Sequence, residues 1–385
     1  MSTELEDDLS RVLGRAAEGA PQAPTGFPGR IAARSRRRRT RTWTLVAAVA
    51  MVIVAGGLGV TLRGADEARP AQTRSPDPVE KVWPDAVWKI PRQLPNLPDF
   101  RPLIFIDDRT VLLWTPKSDG RADAIHAYDL GTGRTRKIAD IPSAKWEYSS
   151  YFAVGAGRIV WQMIDKNDHT RFWSVPVSGG KPAAIDTGGP VRAHSEKLAV
   201  AGDRVAFSLA DGGVFTFPLR GGSVTPVAGA ERHHILRWPW VATPSDYRQD
   251  REPSFRELLN AETGQASNAV VRPGERYVRC GVTTCVGMRP DDTRFYRLRD
   301  GSRERDLPGS PVLGLGDDRF LAADPPGAAG GQVLLDLATG KQGDLGLRPS
   351  GKGRMTGVEP NILDGGLVSY QLKDQYMIID LARIR

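Results

Sequence analysis

Residues 109–115, RTVLLWT, and residues 124–141, AIHAYDLGTGRTRKIADI, read as two β-prone runs, a glycine-containing turn and one more short run. Val, Leu, Ile, Trp and Tyr suit a pleated, half-buried surface, and Gly131-Thr132-Gly133 supplies the backbone freedom that a tight hairpin needs. The same phrase returns downstream. Residues 157–164, GRIVWQMI, lead into 171–186, RFWSVPVSGGKPAAID, and residues 203–210, DRVAFSLA, lead into 213–228, GVFTFPLRGGSVTPVA. Related turns follow at Glu262-Thr263-Gly264, Asp300-Gly301 and Ala338-Thr339-Gly340. The last glycines of these turns stand at 133, 180, 222, 264, 301 and 340, in steps of 47, 42, 42, 37 and 39 residues. Aligning Asp336-Leu337 with Asp380-Leu381 marks a seventh unit.

Units of roughly 40 residues, each a four-stranded antiparallel sheet, have the period of a β-propeller. One such sheet cannot bury both of its faces, whereas a ring of them can. The expected fold is therefore all-β, a seven-bladed propeller over residues 83–385. The last unit, 361–370 NILDGGLVSY and 371–385 QLKDQYMIIDLARIR, lacks an outer strand. Residues 86–91, AVWKIP, resemble the outer strand 136–142, RKIADIP, of the first unit. They are expected to supply the fourth strand of the last blade and to leave no open edge. The fourth unit is irregular, with a polar insertion at 245–253.

Upstream the composition changes. Residues 63–82, RGADEARPAQTRSPDPVEKV, form a solvated linker. Before it, residues 42–62 are a 21-residue uncharged apolar run, roughly 31 Å as a helix and long enough to span a bilayer. Arg34, Arg36, Arg37, Arg38, Arg39 and Arg41 precede it, and the flank after it is nearly neutral. This asymmetry predicts an uncleaved single-pass anchor in the cell membrane, with a cytoplasmic leader at 1–41 and an extracytoplasmic C-terminal domain. In the leader, Leu5, Leu9, Val12, Leu13 and Ala16 fall at helical spacing; a cytoplasmic partner could dock there, although a weakly ordered carrier of the arginines is the favoured reading. The net charge of +8 is ascribed to the arginines before the apolar run, which would face anionic membrane lipid, and nucleic acid is not an expected partner.

The strand, Asp-Leu and glycine-turn pattern at Tyr128-Asp129-Leu130, Leu335-Asp336-Leu337 and Ile379-Asp380-Leu381 resembles that of TolB-like propellers. The whole architecture resembles actinobacterial single-pass membrane proteins with an extracytoplasmic WD40-like or TolB-like propeller. The Trp-Asp ending and Gly-His pair of true WD40 blades are absent. The resemblance implies a protein-interaction or sensory scaffold and assigns no substrate.

Few residues carry chemistry. Cys280 and Cys285, in RYVRCGVTTCVGMR, flank a four-residue turn between the first and second strands of unit five. Outside the reducing cytosol this spacing favours a disulfide over a metal or redox centre, which would need further ligands or a Cys-x-x-Cys beside a helix. His233 and His234 are the single His pair, and Trp238 and Trp240 are placed on one face of a strand beside them. These four form a candidate binding surface, set against the blander reading of a polar strand end and an interblade core. Asp107-Asp108, Asp291-Asp292 and Asp317-Asp318 occupy turns and lack the spacing of a calcium loop. No catalytic motif, metal site or cofactor site is evident. The expected function is a membrane-anchored module that binds or senses an extracytoplasmic protein or small ligand. The alternative is a propeller hydrolase or lyase with its site in the central channel.

Overall fold

The computed structural model describes residues 76–97, 99–117, 121–142, 144, 146–244, 253–311, 315–324, 331–348, 361–362 and 366–385. They form seven four-stranded antiparallel sheets arranged as the blades of a propeller. Blade 1 shows the plan: Arg101–Phe105, Thr110–Pro116, Ala122–Asp129 and Thr135–Asp140 pair in sequence order from the inside outwards. Blades 2 to 6 repeat it. Blade 7 comprises Asn361–Ile362, Leu367–Leu372 and Gln375–Asp380, and its fourth strand is Val87–Pro91, antiparallel to Gln375–Asp380 with Val87 opposite Ile379 and Ile90 opposite Tyr376.

The membrane reading requires correction. No helix among the described residues is long and apolar enough to cross a membrane. Their one α-helix, α1 (Val79–Val82), has four residues, where a span needs about twenty. The expected span at 42–62, the leader and Arg34, Arg36, Arg37, Arg38, Arg39 and Arg41 lie outside the described residues. The single-pass family assignment, the anchored function, the membrane-lipid partner and the cell-membrane location therefore find no support, and what stands is the propeller.

The recurrent hairpin turns have a local cause. At the end of a third strand a short carboxylate or amide side chain folds back onto the turn. The Asp129 carboxylate accepts from the Gly131 and Thr132 amides at 2.8 and 2.7 Å, and the Asn260 side chain accepts from Glu262 and Thr263 at 2.9 and 3.0 Å. Asp336 does the same with the Ala338 amide at 3.0 Å. This Asx-turn closes the loop without help from the rest of the ring.

The core lies between blades. The second strands, such as that carrying Val111, Leu112 and Leu113, are covered on both faces and so are apolar at consecutive positions. One cluster joins Leu112 and Ile125 of blade 1 to Ile159 and Trp161 of blade 2. Between blades 2 and 3 the rings of Phe172, Phe207 and Phe217 lie 4.7–5.9 Å apart in tilted pairs, favourable aromatic geometry. Arginines add polar staples between neighbouring blades. Arg136 of blade 1 donates to the Val177 and Ser178 carbonyls of blade 2 at 2.9 and 2.6 Å. Arg272, after the last strand of blade 4, reaches the Gly301 carbonyl of blade 5 at 3.2 Å. Arg319 of blade 6 reaches Ile384 at 3.2 Å, and Arg383 carries the series on to the Asp108 carbonyl of blade 1 at 2.6 Å. A planar fork with several donors can serve two carbonyls at once, which an ammonium group does less well.

Candidate functional site: the channel mouth at blades 4 to 6

At the end of the channel that carries the turns between first and second strands, a cavity of about 230 Å³ opens. Its apolar wall comes from Leu236 and Phe255 of blade 4, Val282 of blade 5 and Leu315 of blade 6. Arg237 and Asp317, which also line it, form an ion pair at 2.5 Å that bridges blade 4 to blade 6. Lys197 and Arg279 reach it from the innermost strands of blades 3 and 5.

The cysteine hairpin forms one side. Cys280 and Cys285 are disulfide-bonded, pair directly across the hairpin and are both buried. The turn residue Thr283 donates to the Asp318 carboxylate through its amide at 2.6 Å and through its hydroxyl, and the Thr284 amide adds a longer bond at 3.3 Å. Burial nevertheless pushes the Asp318 carboxyl above its usual range. Gly281 is required at this contact, because a Cβ there would run into the Asp318 carboxylate.

The segment that opens at Ser254, before the third strand of blade 4, forms another side: Ser254 lies parallel to Arg279 on the innermost strand of blade 5. The Ser254 amide donates to Val278 at 2.9 Å, and the Cys280 amide donates to Ser254 at 3.2 Å. Arg299 clamps this arrangement from behind. Its guanidinium donates to the carbonyls of Phe255, Arg256 and Gly281 at 3.0, 2.6 and 2.8 Å. Burial pulls that guanidinium down to about 10. The segment at Phe255 and Arg256 and the cysteine hairpin are thus tied to one buried cation.

The candidate surface residues go to different places. His234 is buried, and its Nδ1 lies 2.7 Å from Glu196 Oε2 of blade 3. His233 is half-buried, and burial lowers its pKa. Trp238 sits in the turn before a cis proline, donates its indole N–H to Glu262 at 2.9 Å and packs with the cluster between blades 3 and 4. Trp240 packs instead with Ala242, Phe255 and Leu258. None of the four lines the cavity. Among the described residues no group of three or more His, Cys, Asp or Glu could hold a metal ion.

Blade 5 also carries an ion network that no spacing in the sequence announces. The fully enclosed Arg297 guanidinium makes two bonds of 2.6 Å to Glu275 and one of 3.0 Å to Glu304. It lies 4.3 Å from the centroid of the Phe295 ring. Arg289 and Arg272 also pair with Glu304. With burial opposing, these arginine bonds bring the Glu304 carboxyl down to about 2.

No protein-family model and no curated protein matches the sequence. Among solved structures, YCF48 bound to a D1 peptide is similar at 9% identity, with 76% of this chain and 96% of that chain covered and a TM-score of 0.46. The WD40 β-propeller domain of Doa1 is 10% identical over 74% of this chain and 96% of that one, with a TM-score of 0.39. The β-propeller domain of the Trilobed protease from Pyrococcus furiosus is 10% identical over 68% and 84%, with a TM-score of 0.41. These likenesses carry no argument about function, which rests on the geometry of this chain alone.

Proposed function

We propose that the propeller is a binding module, and that the channel cavity at blades 4 to 6 seats an apolar group of its ligand, such as an aromatic side chain of a protein partner. The observation that carries this reading is the convergence of Leu236, Phe255, Val282 and Leu315, from three blades, on one cavity of about 230 Å³. A dry cavity of about 150 Å³ already holds benzene, so this one has room for a single ring. The Arg237–Asp317 pair at its edge would orient a polar neighbour of that ring. An apolar wall beside one paired carboxylate, and another hydrogen-bonded to Thr283, favours binding over acid–base chemistry.

The test is calorimetric titration of the full chain with indole and p-cresol, analogues of the Trp and Tyr side chains. Saturable binding that disappears in both Val282→Trp and Leu315→Trp is the expected result. Binding unchanged in both variants, or no saturable binding of either probe, would overturn the proposal.

A further inference from the structure

The disulfide stands at the base of one wall of the channel cavity. Cys280, Gly281 and Val282 line that cavity in succession. Cys280 and Cys285 lie opposite each other, and the Gly281 amide donates to the Thr284 carbonyl at 2.6 Å, so the sulfur bridge spans the first rung beyond the turn. The turn itself touches both neighbouring blades. Val282 packs on Ala242, Phe255 and Leu258 of blade 4, and the Thr283 amide donates to Asp318 of blade 6 at 2.6 Å. A shift at the bridge therefore moves the cavity wall and the contacts it makes on either side.

Little room surrounds the sulfurs. Cys280 and Cys285 are buried in one cluster with Ala269, Val278 and Phe295. At Gly287, two residues along the strand from Cys285, a Cβ would lie 2.7 Å from the Phe295 ring and 3.1 Å from Val278. At Gly281 it would run into Asp318. Interiors packed this closely resist added volume. A disulfide keeps its two sulfurs at bonding distance, whereas two thiols must stand at van der Waals separation. The reduced pair thus needs more room than the oxidised pair, and the free space beside it is the cavity that Cys280 lines.

We propose that Cys280 and Cys285 form a redox switch on this cavity: a dithiol reductant opens the bond, the base of the hairpin spreads into the cavity, and the apolar group of the ligand is held less tightly. The inference rests on the binding reading given above for the same cavity. One thiolate of the dithiol attacks a cysteine sulfur and the S–S bond breaks, leaving a mixed disulfide that the second thiol resolves. Two electrons and two protons pass to the cysteines, and the dithiol becomes a disulfide. Both cysteines are enclosed, so the reductant approaches through the cavity, and an occupant shields the bond. Linkage gives the same result at equilibrium: a ligand that prefers the oxidised chain makes that chain harder to reduce by the same factor.

The experiment titrates the full chain with indole by calorimetry, oxidised and again after dithiothreitol, with the released thiols counted and Cys280→Ala with Cys285→Ala as the control. The dissociation constant should rise at least several-fold on reduction of the native chain and ignore dithiothreitol in the double variant. By NMR, the amide signals of residues 281–284 and 318 should move on reduction while those of blades 1 and 2 stay in place. Saturating indole should slow thiol release several-fold. A dissociation constant or wall signals unchanged by reduction, or a bond that dithiothreitol does not open in the folded chain, overturns the inference and leaves the binding reading intact. Loss of the whole folded spectrum on reduction overturns it too, because the bond would then hold the fold rather than the wall. Absence of indole binding in both states, with the wall signals moving, overturns the binding reading instead.

Discussion

Arg297 shows how much of this blade rests on single side chains. Its side chain is 0% exposed and that of Glu275 is 3% exposed, so neither charge has solvent to fall back on. Removing one partner of an enclosed pair leaves an uncompensated charge and costs on the order of 3–5 kcal/mol, whereas replacing both with apolar residues of similar volume is often near neutral. Glu275→Ala is therefore expected to lower the urea midpoint strongly, and Glu275→Leu with Arg297→Met to lower it much less; equal losses would contradict the assignment. The same network sets an acid limb. The folded Glu304 carboxyl titrates at about 2, below its ordinary value of 4.5, so its contribution is complete above 4.5 and is lost as pH falls towards 2. The stability gap between the native chain and Glu304→Gln should accordingly narrow from pH 6 to pH 3, and a gap independent of pH would refute the pairing. None of this was legible in the sequence. Glu275, Arg297 and Glu304 are ordinary charges there, and only folding of the strands brings them together.

At the scale of elements, local chemistry is what could be read in advance. The glycine turns recur because Asp129, Asn260 and Asp336 each close their own loop, and a local cause leaves a local trace. The disulfide was legible for the same reason, as its two residues face each other across one hairpin. The cavity was not, because Leu236, Val282 and Leu315 come from three blades and share no spacing. Trp238 and Trp240 were read as partners on one face, but the turn at Pro239 separates them and sends each to a different cluster. For the cysteine hairpin, loop-entropy reasoning gives about 2 kcal/mol for so short a loop. Replacing both cysteines by alanine should lower stability by about that amount without unfolding the ring, measured by chemical denaturation. Complete loss of structure would mean that the hairpin does more than hold blade 5 beside Asp318.

At the scale of the molecule, the ring depends on a contact between its two ends. The strand Val87–Pro91 covers the outer edge of Gln375–Asp380, and Ile90 is fully enclosed there. A chain beginning at Leu94 would bare that edge and remove Ile90 from the cluster it shares with Phe100, Leu367 and Ile378. Such a chain is expected to melt well below one beginning at Asp77, and the amides of residues 377–379 should exchange rapidly. Equal melting with equal protection would show that the ring closes without this strand.

The direction of that closing strand also decides how the ring responds to a pull. Val87 lies opposite Ile379, so the two chain ends leave the last blade on the same side. Tension drawing them apart loads the ladder one rung at a time and peels it, where a sheared ladder would share the load among all its rungs. Ahead of the ladder stands a second catch: α1 with fully enclosed Val79, the Pro78–Asp344 bridge, and Trp83 packed so closely on blade 6 that a Cβ at Gly343 would lie 2.8 Å from its ring. Force arriving through the N-terminal side must undo this latch before the zip, so the propeller opens in two stages, from blade 6 and then blade 7.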